Sequence, residues 1–274
     1  MKIHVFFRFS LILFFLSIAH TFLKAQNSNY FVLSEKQLVT IYSDIFTEKP
    51  FNREMKANQF FDEFFAVVKH DSSFSFPFSG LQKIGKIYSS DQKICIYSWN
   101  IPIGIDDNIY YGIIQYYSKH DNKYIAIKLH NAQKQDQNIT AEEWPGALYY
   151  QIAETKNDGQ IYYTLLGLNL NNALSNKKVI DVISIDDSDR FSFCEKMIEN
   201  KGKLVDRLVF EYNEKAIMML QYDKNKKMIV FDHLSPQRPS LEGNYQFYGP
   251  DFTYDGLKFE KGIWKYYSNI NVTN

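Results

Sequence analysis

The pattern of apolar and polar positions changes its period along the chain, from helical near the N-terminus to alternating further on. From Ser34, apolar side chains recur with the i, i+3, i+4, i+7 and i+8 spacing of an amphipathic helix. Ser34 and Gln37 have the spacing of a capping box, so this helix is predicted to begin at Ser34 and to end before Pro50. A second helix is predicted from Arg53 to Lys69. The two would form an antiparallel pair.

From about Gly80 onward the apolar residues alternate, which is typical of β-strands. Strands are predicted at 84–88, 93–99, 110–117, 124–129, 148–155, 160–168, 179–185, 208–212, 216–222, 227–231, 254–259 and 263–267. Short polar turns join them, and Asn157-Asp158-Gly159 is the strongest hairpin signal because glycine readily adopts a positive φ. Hairpins in succession predict an antiparallel meander.

Several of these runs are apolar on both faces. In the run from Val179 to Ile185, apolar side chains point in both directions, so we expect both faces of that strand to be covered. The prediction is a mainly β fold, a sandwich or an irregular barrel, with the helix pair packed on it; a small β-propeller is the alternative. Residues 26–75 would be a helical segment and residues 76–274 the antiparallel β domain.

The first 25 residues resemble a secretory signal peptide. Lys2, His4 and Arg8 form a basic start, an apolar run follows over residues 9–19, and Ala25 offers a small residue at the cut. The run is shorter than the roughly 20 residues that a membrane-spanning helix needs. We therefore expect an extracytoplasmic protein, in the periplasm, in the outer envelope or secreted, with no transmembrane span after cleavage.

Charge and aromatic content narrow the function classes. The chain has 31 basic and 31 acidic residues; loss of Lys2, Arg8 and Lys24 with the signal leaves 28 against 31, a net charge of −3. Such a balance gives no support for a nucleic-acid partner, because binding to the phosphate backbone needs an excess of basic side chains. With 17% aromatic residues, the chain is not disordered.

The two cysteines are too few for a disulfide scaffold or a four-cysteine zinc site. Cys95 and Cys194 could pair with each other in an oxidising compartment, closing a loop of about a hundred residues. The alternative is a pair of buried thiols.

Catalytic and metal motifs are absent from the sequence. There is no His-Glu-x-x-His arrangement and no Gly-x-Ser-x-Gly elbow. Acidic turns at Asp186–Asp189 and at Asp251 and Asp255 do not match a calcium loop and are explained by the turn preference of aspartate. Neither a metal nor a cofactor is predicted, and whether the protein is an enzyme stays open.

Two longer connections, 131–145 and 234–250, are the places where function is expected, because loops on a rigid β scaffold commonly carry it. Their aromatic residues could form a stacking platform or could pin the loops to the core. The candidate binding residues are Trp144, Asp232, His233, Tyr245, Phe247, Tyr248, Asp251 and Asp255.

Three segments carry a resemblance to known sequences: Ser98–Pro102 (SWNIP), Trp144–Tyr150 (WPGALYY), and the stretch from Ile229 to Phe252 with its IVFDHL, PSLEG and YGPDF motifs. In them the chain resembles a family of uncharacterised secreted proteins of Bacteroidota bacteria, over roughly residues 84 to 267. The resemblance implies an extracytoplasmic setting. It implies no activity and assigns no catalytic residue.

Two hypotheses follow. The first is a non-catalytic extracytoplasmic protein that serves in the envelope or binds a glycan or an envelope protein through its long loops. The second is a secreted hydrolase that acts on glycan or peptide with loop carboxylates or with His233 and Asp232. The observation that separates them is whether the side chains of two groups converge in one concave pocket: Asp232, His233, Glu242, Asp251 and Asp255 from one segment, and His130 or the Glu142-Glu143 pair from another. Convergence of two acids, or of an acid and a histidine, would favour the hydrolase, whereas side chains that all cap backbone turns would oppose it.

Overall fold

The computed structural model of the protein describes residues 29–131 and 139–271. The predicted signal peptide, residues 1–25, lies outside this range. Helix α1 occupies residues 29–45, and helix α2 is Arg53–Val68. The predicted start at Ser34 is wrong, since α1 is already helical at residue 29. Phe31, Leu38 and Ile45 are all buried and recur every seven residues, so the apolar face begins one turn earlier than expected.

Fifteen strands follow in the described residues. They are β1 Gly85–Tyr88, β2 Ile94–Pro102, β3 Asn108–Ser118, β4 Lys123–Leu129, β5 Leu148–Asn157, β6 Gln160–Asn169, β7 Ser175–Ile185, β8 Phe191–Phe193, β9 Ile198–Asn200, β10 Lys203–Val205, β11 Arg207–Asn213, β12 Leu220–Asp223, β13 Met228–Pro236, β14 Tyr248–Glu260 and β15 Ile263–Tyr267. Strands β8 to β10 were not predicted, because three residues are too few to show a period.

The strands form three sheets. The first has the order β1-β2-β3-β4, the second β11-β7-β6-β5 with β8 also on β7, and the third β10-β9-β15-β14-β13-β12. All paired neighbours are antiparallel except β15 and β9, which are parallel. The predicted mainly β, antiparallel fold with an N-terminal helix pair is therefore confirmed, and the described strands form no closed barrel.

The sheets are stacked face to face, with a hydrophobic cluster at each junction. In β2, Tyr97 and Trp99 pack with the helix pair, whereas Ile94 and Ile96 point the other way and pack with the second sheet. A further cluster, which includes Trp264, joins the second sheet to the third. This stacking explains the runs that are apolar on both faces. Among the described residues no cluster joins the third sheet to the first, so the sheets do not form the ring of a propeller.

The predicted loop 234–250 is much shorter than expected. Strand β13 continues to Pro236 and β14 begins at Tyr248, so only residues 237–247 connect them, through two 3₁₀ turns. Leu234 is paired with Pro250 and Pro236 with Tyr248. Proline is tolerated in a strand where its missing N–H removes no ladder hydrogen bond.

No described helix is long and apolar enough to cross a membrane.

The two cysteines are free thiols. Cys95 lies in the cluster under the helix pair, whereas Cys194 lies in the cluster between the first and second sheets. One layer of β-sheet separates these clusters, so the considered Cys95–Cys194 disulfide is absent.

Candidate functional site

A cleft of about 670 Å³ opens between the edges of the first and second sheets. It is bordered by the start of β3, the β6–β7 connection and strand β11. The polar and charged side chains that line it are Asp107, Asn108, Asn131, Asn169, Asn171, Lys177, Asp206, Arg207 and Glu211, and apolar contacts come from Ile109, Tyr110, Ile139, Pro145, Val179 and Val209.

The inner end of the cleft rests on a buried ion pair. Arg207 and Asp181 are cross-strand partners on β11 and β7, and their side chains are 6% and 0% exposed. Nε of Arg207 lies 2.9 Å from Oδ1 of Asp181, and Nη2 donates to Oδ2 at 3.0 Å. Burial lowers the pKa of Arg207, but the charge and hydrogen bond of Asp181, together with the nearby Tyr149 and Cys194, more than offset this, and the pKa lies above its ordinary value. The guanidinium is therefore fixed and charged.

A chain of hydrogen bonds leads from this pair into the core. Tyr149 donates to Oδ2 of Asp181 at 2.6 Å, and Trp144 Nε1 donates to the Tyr149 hydroxyl at 3.0 Å. The Cys194 thiol lies 3.5 Å from Oδ1 of Asp181. Burial, reinforced by the nearby Asp181 charge, raises the pKa values of Tyr149 and Cys194 well above their ordinary values. Both groups stay protonated and act as donors to the carboxylate.

This network decides between the two roles that the sequence left open for Trp144, a stacking platform and an anchor of its loop to the core. Trp144 is fully buried and belongs to the core between the first and second sheets, so it is no exposed stacking platform. Its indole N–H has found a buried acceptor, which is the usual condition for burying tryptophan.

The wall formed by the β6–β7 connection carries a second polar cluster. Nδ2 of Asn171 donates to Oε1 of Glu211 at 3.1 Å and to Oγ of Ser175 at 2.8 Å. Nζ of Lys177 lies 3.6 Å from Oε2 of Glu211. The Nδ2 of Asn171 therefore has both of its hydrogen bonds made within the protein. The Oδ1 of Asn171 accepts no hydrogen bond within the described residues.

Gly146 shapes the apolar side of the cleft. Its φ is +85°, a region that favours glycine, and a Cβ at this position would come within 2.6 Å of the Tyr110 ring. Its carbonyl accepts from Nδ2 of Asn169 at 2.9 Å. Any larger residue would displace the Tyr110 ring from the cleft lining.

The third sheet carries most of the residues proposed from the sequence. His233 and Asp255 do come together, with Nδ1 of His233 2.6 Å from Oδ2 of Asp255. Asp232 lies elsewhere and accepts the backbone N–H of Met219 at 2.6 Å. Asp251 is held by its own turn and by Ser235, and Glu242 is exposed. An acid and a histidine therefore converge, while the other carboxylates bond backbone or local hydroxyl groups.

The aromatic residues of the 245–252 segment are partly exposed. Tyr245 is 47% exposed and its ring centroid lies 5.1 Å from that of Tyr248. Tyr248 and Phe247 are half-buried, and Tyr248 accepts the Gly243 N–H at 3.0 Å. Phe252 is 91% exposed. The loop thus presents aromatic faces while Tyr248 pins it.

The remaining histidine candidate lies on the first sheet. Nε2 of His130 is 3.5 Å from Oε2 of Glu142, and both side chains are largely exposed. They do not join His233. Among the described residues no three His, Cys, Asp or Glu side chains are placed to hold a metal ion. In the acidic turn Asp186–Asp189, the Asp189 carboxylate accepts hydrogen bonds from the backbone N–H groups of Lys119 and His120.

The segment Gly80–Lys86 has the Gly-x-x-x-x-Gly-Lys spacing of a phosphate-binding loop, a match that sequence reasoning missed. It leads into strand β1, not into a helix, and Nζ of Lys86 donates to the Phe76 carbonyl at 2.5 Å. The ammonium also lies over the Tyr97 ring at 5.3 Å. The ammonium is thus already engaged by a carbonyl and an aromatic ring, and the segment lacks the helix that follows a phosphate-binding loop.

Sequence reasoning also missed Asp181 and Arg207. A signal for Asp181 was present, because it is the one charged residue in the run Val179–Ile185, and a charge in a buried strand needs a partner. No pattern in the sequence identifies Arg207 as that partner.

Comparison with protein-family models, with curated proteins and with solved structures finds no match to this chain.

Proposed function

We propose that the protein is an extracytoplasmic binding protein that holds a neutral, hydroxyl-rich ligand, a segment of a glycan, in the cleft between the first and second sheets. The observation that carries the proposal is a cleft of about 670 Å³ lined by four asparagines and by two cations, Arg207 and Lys177, that already have acidic partners. The extracytoplasmic setting rests on the N-terminal segment of the sequence, outside the described residues.

The charges of the cleft favour a neutral ligand. Arg207 is engaged by Asp181, and Lys177 lies beside Glu211. Asp107 and Asp206 add two further acids to the lining, so an anionic ligand would meet no uncompensated cation. Sugar hydroxyls both donate and accept hydrogen bonds, which suits amide and carboxylate oxygens. A ligand of that kind needs no net charge from the protein.

Unused acceptors support the same ligand class. The Oδ1 atoms of Asn169 and Asn171 accept no hydrogen bond within the described residues, although their Nδ2 atoms are fixed at 2.9 Å from Gly146 O and 2.8 Å from Ser175 Oγ. Amides held by their donor side present their oxygen in a defined direction. Binding to such preorganised groups loses little conformational entropy.

The aromatic loop lies at one end of this surface. On β11, Arg207, Val209 and Glu211 face the cleft, and Asn213 continues the same face. Nδ2 of Asn213 donates to the Gln246 carbonyl, so the turn that carries Tyr245 is attached where that row ends. Tyr245 is thus available as a stacking face for a sugar ring.

A glycan array probed with residues 26–274 tests the proposal, followed by calorimetry on any glycan bound. We expect neutral glycans to bind and Asn171→Ala to weaken binding about tenfold, the loss of one or two hydrogen bonds. Tyr245→Ala should also weaken it, by about 1 kcal/mol. Matched controls are Asn225→Ala, in the exposed β12–β13 turn, and Phe51→Ala, 73% exposed on the helix pair.

Circular dichroism and thermal unfolding establish that each variant is folded. No bound glycan, or equal affinity for the cleft variants and the controls, would overturn the proposal.

A further inference from the structure

A second arrangement of functional groups lies on the third sheet: an imidazole that is oriented by a buried carboxylate. The Asp255 side chain is 3% exposed, whereas that of His233 is 44% exposed. One end of the pair is therefore inside the protein and the other meets solvent. This asymmetry distinguishes it from His120 and Asp121, which are 3.0 Å apart but 84% and 41% exposed.

The carboxylate is held by donors on both oxygens. The Tyr266 hydroxyl donates to Oδ2, and the backbone N–H of Asn269 donates to Oδ1 at 2.8 Å. Burial, with the hydrogen bond to Asp255, raises the pKa of Tyr266 above its ordinary value, so its phenol stays protonated as a donor. Asp255 is thus fixed in place as an acceptor.

The orientation of His233 follows. A carboxylate at 2.6 Å from Nδ1 requires the imidazole to carry its proton there. In the neutral ring Nε2 then has a free lone pair, and no partner for it is present in the described residues. This is the arrangement in which a histidine accepts a proton from a reacting molecule.

A β-bulge places the imidazole at the surface. The register between β13 and β14 shifts at His233, where Asp232 pairs with Tyr254 but Leu234 pairs with Pro250. His233 on β13 therefore faces residues 251–253 on β14, two more residues than a regular ladder would place there. Bulges redirect side chains and are common beside functional sites.

The same bulge exposes an apolar side chain. Phe252 has φ +68° and is 91% exposed, a conformation and an environment that both disfavour a large aromatic residue. Asp251 anchors the bulge by accepting from Thr253 Oγ1 at 2.7 Å and from Ser235 Oγ at 2.8 Å. Strain of this kind persists where the surrounding structure enforces it, commonly at ligand sites.

We propose that His233 is the general base and general acid of an esterase site for acyl esters, that Asp255 and Tyr266 position it, and that Phe252 contacts the apolar part of the ester. Nε2 takes a proton from water as the water oxygen bonds to the acyl carbon and the carbonyl π electrons move to its oxygen. When the tetrahedral intermediate collapses, the C–O bond to the alcohol breaks and the imidazolium returns the proton to the leaving oxygen. The products are one acid and one alcohol.

The local chemistry favours an ester over other bonds. Glycoside hydrolysis needs a protonated carboxyl as acid opposite a second carboxylate. Burial raises the pKa of Asp251, but its hydrogen bonds from Thr253 and Ser235 prevail, and the pKa lies below its ordinary value. Asp251 is therefore ionised and no acid. Ser235 donates to Asp251, so water is the nucleophile. An alcohol leaves more readily than an amine, so one imidazole suffices.

Hydrolysis of p-nitrophenyl acetate and p-nitrophenyl butyrate by residues 26–274 tests the proposal. We expect His233→Ala to lower kcat about 100-fold or more, and His120→Ala, the matched exposed pair, to leave the rate unchanged. Added imidazole should restore activity to His233→Ala. Phe252→Ala should raise KM for the butyrate more than for the acetate.

The positioning role has its own readouts. Tyr266→Phe should lower kcat and leave KM unchanged; Asp255→Asn should do so more strongly if it folds. For the wild type the rate should rise with pH as one group loses its proton, and this dependence should disappear in His233→Ala. Equal rates for wild type and folded His233→Ala, or equal losses in His120→Ala, would overturn the proposal. Neither result bears on glycan binding in the cleft.

Discussion

Arg207 and Asp181 face each other across the β7–β11 pair, with both carboxylate oxygens within 3.0 Å of a guanidinium nitrogen. The pair lies between the first and second sheets, so water does not reach either charged group from the core side. Removing one partner leaves the other buried and unpaired, which costs about 3–5 kcal/mol. We therefore expect Asp181→Ala to lower the free energy of unfolding by that amount in urea titrations.

The double variant Asp181→Leu with Arg207→Met provides the control. A buried ion pair replaced by apolar residues of similar volume is often neutral for stability. The double variant should recover most of the loss seen in Asp181→Ala. A double variant as unstable as the single one would show that the pair itself stabilises the fold.

The Tyr149 hydroxyl is shared by two buried groups, and Tyr149→Phe breaks both contacts. The Asp181 carboxylate loses a donor at 2.6 Å and the Trp144 N–H loses an acceptor at 3.0 Å. We expect a loss of about 1–3 kcal/mol in urea unfolding. Tyr162→Phe is the matched control, because the Tyr162 hydroxyl makes no hydrogen bond within the described residues. Equal stability of the two variants would contradict the network.

Gly146 and Gly159 both have φ +85°, but only Gly146 lies against a neighbour. At Gly159 a Cβ would meet nothing within 4 Å, so Gly159→Ala should cost only the backbone strain, about 1–2 kcal/mol. Gly146→Ala should cost more, because its Cβ would come within 2.6 Å of the Tyr110 ring. Thermal unfolding of both variants measures the difference. Equal melting temperatures would count against the close contact.

Alkaline pH should destabilise the fold through its buried tyrosines. Burial raises the pKa values of Tyr42 and Tyr110 from 10.0 to about 12. A raised folded pKa means that the folded state holds the proton more tightly. The contribution of these two tyrosines to the free energy of unfolding should therefore be fully present below pH 10. It should be lost as the pH rises from 10 to about 12. Thermal unfolding from pH 7 to 11.5, with tyrosinate absorbance, tests this, and a constant melting temperature above pH 10 would disprove it.

The two cysteines should be inaccessible in the native protein and available after unfolding. Cys95 is fully buried, and burial raises its pKa to about 12, so thiolate is scarce. Intact mass after alkylation without reductant should show no added group on the native protein and two on the denatured one. No alkylation in denaturant would reveal a disulfide.

Local features of the fold could be predicted from the sequence, and long-range ones could not. The two-sided apolar run Val179–Ile185 correctly indicated cover on both faces. Hairpin turns such as Asn157-Asp158-Gly159 predict which strands pair, because the two strands of a hairpin follow each other in the chain. Nothing in the sequence indicates that Trp264 pairs with Ile198, because parallel pairing between distant strands leaves no local pattern.

For the candidate site residues as well, local features could be predicted from the sequence and long-range contacts could not. His233 and Asp255 both lie in a segment marked by its density of proline, glycine and aromatic residues, so their neighbourhood was predicted. The 2.6 Å contact between them depends on the bulge, which has no sequence signature. Trp144 ends a polar connection, so the sequence left a surface platform and an anchor to the core both open. Its burial depends on the Tyr149 hydroxyl, which reaches it from strand β5.

The position of β15 has a consequence for the order of folding. β15 lies between β14 and β9 and follows every other strand in chain order. During synthesis one edge of the β9–β10 hairpin therefore stays unpaired until β15 has emerged. Pairing is then slow, because a long segment of chain separates β9 from β15. The first sheet and the helix pair have no such dependence. We expect them to form as an early intermediate, with the third sheet completed last and most exposed to interruption by chaperones or aggregation.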